Sequence, residues 1–131
     1  MNEMERLYLE QGYNCAETVI RLANEKYGLG IEEADLNLVS GFGGGMGCGE
    51  ACGVLCAGIC ALSRLQVTDK AHATEGFRDR CGELVRTFRR ELGAIRCEEL
   101  KEKYMVPEVR CLKTLELGNA VVEQCLEKAL K

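Results

Sequence analysis

The chain has 131 residues, of which 47% are hydrophobic, so it can bury a core without disulfide staples. Its formal net charge of −4 argues against nucleic acid as a partner, because nucleic-acid-binding proteins carry an excess of basic residues. There is one proline, no tryptophan and no run of β-branched residues, and helix formers dominate. We therefore expect an all-α protein in which residues 1–131 form a single helical domain.

The amino-terminal half predicts three helices that lead into a glycine-rich turn. A short amphipathic helix should end at Gly12, and Asn14 should cap a second helix with Glu17 as its capping-box partner. A third, short helix over residues 32–39 precedes the glycine-rich turn over residues 41–49. Apolar residues at helical spacing mark the core face of the second helix: Ala16, Val19, Ile20, Ala23 and Tyr27.

The carboxy-terminal half predicts the longer helices. A central helix over about residues 51–65 follows the turn, and Asp69 should cap the longest helix, which ends at Gly93. A brief helix follows Cys97, and Pro107 should be the first residue of the last helix. Together these elements predict a compact bundle of about five main helices plus short ones.

Nine cysteines are the outlier in the composition. The first residues, MNEMERLYLEQ, lack the apolar region of a signal peptide, and the most apolar run, Ala51 to Leu62, is shorter than the roughly 20 residues of a membrane span. We therefore expect a cytoplasmic protein without membrane insertion, where cysteines are mostly reduced. Metal binding or redox chemistry is then favoured over a structural disulfide framework.

Four cysteines are predicted near helix N-termini, where backbone N–H groups and the helix dipole favour the thiolate. Cys15 follows a helix cap, Cys52 opens the central helix, Cys97 stands in a cap position, and Cys111 lies one turn into the last helix. If these helix ends converge, four thiolates can bind an iron–sulfur cluster or zinc. Two pairs can instead cycle between dithiol and disulfide, and a buried cysteine can also be a small packing residue without a chemical role.

Cys48, Cys56 and Cys60 continue from Cys52 at intervals of four residues. We interpret Cys56 and Cys60 as packing residues, because a stripe of small residues runs parallel to them, and we assign Cys81 and Cys125 to packing as well. That stripe consists of Gly49, Gly53, Ala57 and Ala61.

Cys48 and Cys52 form a candidate catalytic pair at the point where the turn becomes a helix. If that first helical turn is regular, their side chains project from the same side. We expect Cys52 to have the lower pKa and to be the ligand or attacking thiolate, with Cys48 as a resolving partner or a bystander.

Motifs in a fixed order span nearly the whole chain: Asn14-Cys15-Ala16, GFGGGMG, Cys52-Gly53-Val54, Cys97-Glu98-Glu99-Leu100 and Cys111. In this order and spacing they resemble the C-GCAxxG-C-C family of redox-active proteins, although Val54 replaces an alanine and Ala57 a glycine of the family pattern. The resemblance implies that Cys15, Cys52, Cys97 and Cys111 are the four signature cysteines of a small, helical, prokaryotic protein. A related helical module beside a haem domain implies a two-iron two-sulfur cluster on these cysteines.

Our leading hypothesis is a cytoplasmic redox or electron-transfer protein that works with a redox partner protein. Its four cysteines converge on an iron–sulfur cluster or act as redox thiols. The first alternative is a four-cysteine zinc module, structural or for metal handling. The second is an interaction protein without enzymatic activity or cofactor, which forms a homodimer through the small-residue helix.

Overall fold

Helices make up all the regular structure of the chain, as the sequence predicts. The computed structural model describes residues 1–131 and contains no strand, only two isolated β-bridges. In chain order the helices are α1 (Glu3–Glu5), which continues as a π-helical turn (Arg6–Glu10), α2 (Cys15–Tyr27), a 3₁₀ helix (Glu33–Phe42), α3 (Gly53–Gln66), a short 3₁₀ helix (Ala71–Ala73), α4 (Phe77–Leu92), α5 (Cys97–Tyr104) and α6 (Leu112–Ala129).

The predicted signals at the ends of α2 are confirmed. The Asn14 side chain accepts a hydrogen bond from the Glu17 N–H at 2.9 Å, and the Glu17 carboxylate accepts one from the Asn14 N–H at 2.9 Å. Gly28 ends the helix in the left-handed conformation, with φ +58°. The predicted third helix is present as the 3₁₀ helix, and it extends further into the glycine-rich turn than expected.

Helix α3 begins two residues later than predicted, and the predicted start of α4 is wrong. Ala51 forms a β-bridge with Arg96, so the backbone is extended there and α3 begins only at Gly53. Asp69 does not cap α4, because Gly76 adopts a left-handed φ of +77° that no α-helix can continue through. The longest predicted helix therefore begins at Phe77.

The predicted start of α6 at Pro107 is also wrong. Val106 donates a hydrogen bond from its N–H to the Arg110 carbonyl at 3.1 Å, which closes a tight turn around the proline. Arg110 has a left-handed φ of +53°, so the helix cannot begin before it. Cys111 is consequently the N-cap residue of α6, and not a residue one turn inside it.

Helix α3 lies at the centre of the fold and packs against α2, α4 and α6. Its small residues Ala57 and Ala61 are fully buried, and a Cβ added at Gly58 would lie 2.6 Å from a methyl group of Val122. The stripe of small residues therefore serves helix packing within the chain. None of the helices combines the length and apolar character needed to cross a membrane.

Candidate functional site

A cavity of about 260 Å³ is lined by four cysteines, each at the N-terminal end of a different helix. Cys15 and Cys97 are the first residues of α2 and α5, and Cys52 and Cys111 are the N-cap residues of α3 and α6. Since these residues are as far as 96 positions apart in the sequence (15 to 111), only the tertiary packing brings them to one cavity.

Paired extended segments bring Cys52 and Cys97 to the cavity together. The Cys52 N–H donates to the Ile95 carbonyl at 2.8 Å, and the Cys97 N–H donates to the Glu50 carbonyl at 2.6 Å. These bonds flank the bridge between Ala51 and Arg96, so the two segments are joined as a minimal antiparallel pair. Helices α3 and α5 both begin where this pair ends, which fixes the two cysteines relative to each other.

Two glycines let the backbone come close to the cavity cysteines. A Cβ at Gly53 would lie 2.7 Å from the Cys15 sulfur, and a Cβ at Gly45 would lie 2.6 Å from the Cys97 Cβ. Gly45 also has a left-handed φ of +64°. The site therefore requires glycine at these two positions, because a larger residue would collide with a cavity cysteine.

Cys111 is held by contacts with the amino-terminal helix. Its N–H donates to the Tyr8 hydroxyl at 3.2 Å. The neighbouring Arg110 donates from Nη2 to the Tyr8 carbonyl at 3.1 Å, and its guanidinium carbon lies 4.4 Å from the centroid of the Tyr8 ring. The turn before α6 is thus held by hydrogen bonds to Tyr8, near the amino terminus.

Burial controls the protonation of the thiols. It raises the pKa of Cys52 to about 12 and that of Cys15 to about 11, and it also raises the pKa of Cys97. The N–H groups of Val54 and Leu55 act in the opposite direction on Cys52, but their effect is smaller than that of burial. The predicted lowering of the pKa by the helix end is therefore wrong for Cys15, Cys52 and Cys97, because desolvation of the thiolate outweighs the N-terminal N–H groups.

The cavity thiols also influence one another. A charge on Cys111 or Cys97 raises the pKa of Cys15, and a charge on Cys15 or Cys97 raises that of Cys52. Ionising one thiol thus makes ionisation of its neighbours harder. Without a bound cation, the cavity favours neutral thiols.

Four cysteine thiolates are the donor set of both two-iron clusters and four-cysteine zinc sites, and the two differ in the arrangement they need. All nine cysteines are free, and no three His, Cys, Asp or Glu side chains are arranged to hold one metal ion. A structural zinc site needs four donors about 2.3 Å from one point. A two-iron cluster takes its four cysteine ligands as two pairs, one pair on each iron, so it does not require three sulfurs around one point.

Cys48 lies outside the cavity and is exposed. The backbone of the glycine-rich turn is left-handed at Met46 and Gly47, and Cys48 itself has φ −140° and ψ 20°. The condition on which Cys48 and Cys52 would project from the same side, a regular helical turn between them, is therefore not met, because the segment between them is not helical. A chemical partnership between these two cysteines stays a prediction.

The other four cysteines, Cys56, Cys60, Cys81 and Cys125, are half-buried and lie outside the cavity. Cys60, Cys81 and Cys125 pack against the hydrophobic core. Cavity residues that the sequence analysis missed are Tyr8, Lys101, Met105, Arg110 and Thr114. Lys101 could have been found from the sequence, because it lies one helical turn after Cys97 and so on the same face of the helix. Tyr8 and Arg110 lie 102 positions apart and leave no local signal of their contact.

Comparison with known proteins identifies a family over most of the chain. Residues 13–125 match the family model described as "Putative redox-active protein (C_GCAxxG_C_C)". No curated protein and no solved structure matches the chain. The match covers all four cavity cysteines, and the chain belongs to this family.

Proposed function

We propose that this member of the C-GCAxxG-C-C family is a cytoplasmic redox protein whose Cys15, Cys52, Cys97 and Cys111 bind an iron–sulfur cluster of the two-iron two-sulfur type. The observation that carries this proposal is that these four cysteines, from four separate helices, line one cavity. Four cysteine thiolates are the usual ligands of such a cluster. When bound, the cluster would supply one-electron transfer to and from a redox partner protein.

The chain's own groups suit this role. Apolar side chains of Val54 and Leu100 form part of the cavity wall. The N–H groups of Val54 and Leu55 at the start of α3 act to lower the pKa of Cys52, and so favour the thiolate form that binds a metal. Because Cys52 and Cys15 hold their protons at neutral pH, ligation has to displace those protons, so we expect cluster loading to improve as the pH rises.

A second candidate is dithiol–disulfide chemistry without a metal. The observation that favours it is that four free cysteines line one cavity. Oxidation of two cavity thiols to one disulfide would release two electrons and two protons to an external acceptor protein. Homodimer formation also stays a prediction, but the small-residue stripe does not support it, since that stripe is buried within the chain.

Metal and sulfide analysis of protein purified without oxygen tests the proposal. We expect visible absorbance with equal amounts of iron and sulfide, lost in each single Cys→Ser variant of the four cavity cysteines. Cys60→Ser, on the core side of α3, is the matched control and should keep the cluster.

Three results would contradict the cluster. Zinc at one ion per chain would support the metal-handling alternative. A colourless, metal-free protein that forms disulfides among the cavity cysteines reversibly would support dithiol chemistry. Loss of the cluster in Cys60→Ser as well would show that the ligand set is not the cavity set.

A further inference from the structure

The charged side chains that line the cavity are both cationic. Lys101, one turn after Cys97 on α5, and Arg110, next to Cys111, line it, and no carboxylate does. Neither cation forms an ion pair elsewhere in the protein. In a chain with a net charge of −4, two exposed cations and no carboxylate thus line the cavity, while the Glu98 carboxylate acts on Cys97 from outside the lining.

Unpaired hydrogen-bond donors lie beside these cations. Thr114 also lines the cavity and is only 4% exposed, yet its Oγ1 has no hydrogen-bond partner. The Tyr8 hydroxyl accepts from the Cys111 N–H, so its own proton is free to be donated. Buried polar groups are normally satisfied, and an unpaired hydroxyl in a cavity wall points to a partner that binds there.

We propose that the cavity binds a small organic acid beside the four cysteines. The acid group would lie at Lys101, Arg110 and the Thr114 hydroxyl. Apolar cavity walls, formed by Val54, Leu100 and Met105, would contact a short hydrocarbon body. The role of the acid as a substrate rests on the proposed redox function, since the acid would lie next to the redox cysteines. Binding of the acid does not require a cluster and is tested in the metal-free protein.

Two alkylating reagents of almost equal size provide the test. Iodoacetate carries a carboxylate and iodoacetamide is neutral, and both attack the same thiolate. The ratio of their rates at one cysteine therefore cancels the pKa of that thiol and reports only the preference of its surroundings for an anion. The full-length protein is reduced, stripped of metal with a chelator and checked for helicity by circular dichroism, and initial rates are measured for each cysteine by mass spectrometry.

We expect Lys101→Gln to lower the iodoacetate-to-iodoacetamide ratio at Cys97 by about threefold, the effect of losing one partly exposed ion pair. Thr114→Val should lower the ratio as well. The ratio at Cys48, outside the cavity, should not change in either variant. Lys113→Gln is the matched control, because it removes the same charge from an exposed position that does not line the cavity.

Several outcomes would overturn the proposal. An unchanged ratio in Lys101→Gln would show that the lysine acts only on thiol ionisation, which alters both rates together. An equal fall in Lys113→Gln would show a general charge effect. Failure of either reagent to modify any of the four cavity cysteines, even at alkaline pH where their thiols ionise, would show that the cavity does not admit small molecules. None of these results depends on iron content, which is measured separately.

Discussion

The reactivity of Cys52 is a direct test of the balance between burial and the helix end. At a pKa of about 12, about one Cys52 in ten thousand is a thiolate at pH 8, compared with about one in ten for a thiol at the ordinary value of 9.0. We therefore expect iodoacetamide to modify Cys52 about a thousandfold more slowly in the folded, metal-free protein than in the same chain unfolded in urea. The rate should continue to rise up to about pH 12.

The assay follows Cys52 labelling by mass spectrometry from pH 7 to pH 12, with the urea-unfolded chain as the reference for the same residue. A thiol that is merely hard to reach would react slowly, but its pH profile would still level off near the ordinary pKa. The position at which the profile levels off is therefore the decisive quantity. A plateau at or below pH 9 would refute the argument and restore the helix end as the dominant influence.

The same pKa difference should destabilise the metal-free protein at alkaline pH. The folded state holds the Cys52 proton up to about pH 12, whereas the unfolded chain loses it near 9.0. The free energy of unfolding is therefore unaffected below pH 9 and falls between pH 9 and 12, by about 4 kcal/mol at the upper end. Urea unfolding across this range should show the decline, and Cys52→Ala should remove this part of it.

Three further substitutions test other parts of the site. Thr114→Val should raise the free energy of unfolding of the ligand-free protein by about 1 kcal/mol in urea titrations, because it removes an unpaired buried hydroxyl. A fall in the free energy of unfolding of similar size would instead show that the hydroxyl forms a hydrogen bond. Gly53→Ala should lower the free energy of unfolding by about 1–3 kcal/mol in the same assay, because the added Cβ would lie 2.7 Å from the Cys15 sulfur. The control Gly41→Ala, whose added Cβ has nothing within 4 Å, should lower it by less than about 1 kcal/mol. Cys60→Ala should cost about 1 kcal/mol and leave iron content unchanged, and bleaching of the protein would contradict its assignment to packing.

Local signals were sufficient for much of the helical framework. The capping box of Asn14 and Glu17 and the left-handed glycines Gly28 and Gly93 involve residues within one turn of each other, so the sequence alone specifies them. The family motifs also singled out the four cysteines that line the cavity, although they say nothing of how these cysteines are arranged.

The starts of α4 and α6 depend on local turns at Gly76 and Arg110, whereas other features that the sequence did not reveal depend on contacts between distant segments. Helix α3 begins at Gly53 because the preceding residues pair with the segment around Arg96. Tyr8 reaches the cavity because it contacts Arg110 from the other end of the chain. The high pKa of Cys52 arises because packing removes water from its sulfur, and the degree of burial is a property of the whole fold and not of one helix end.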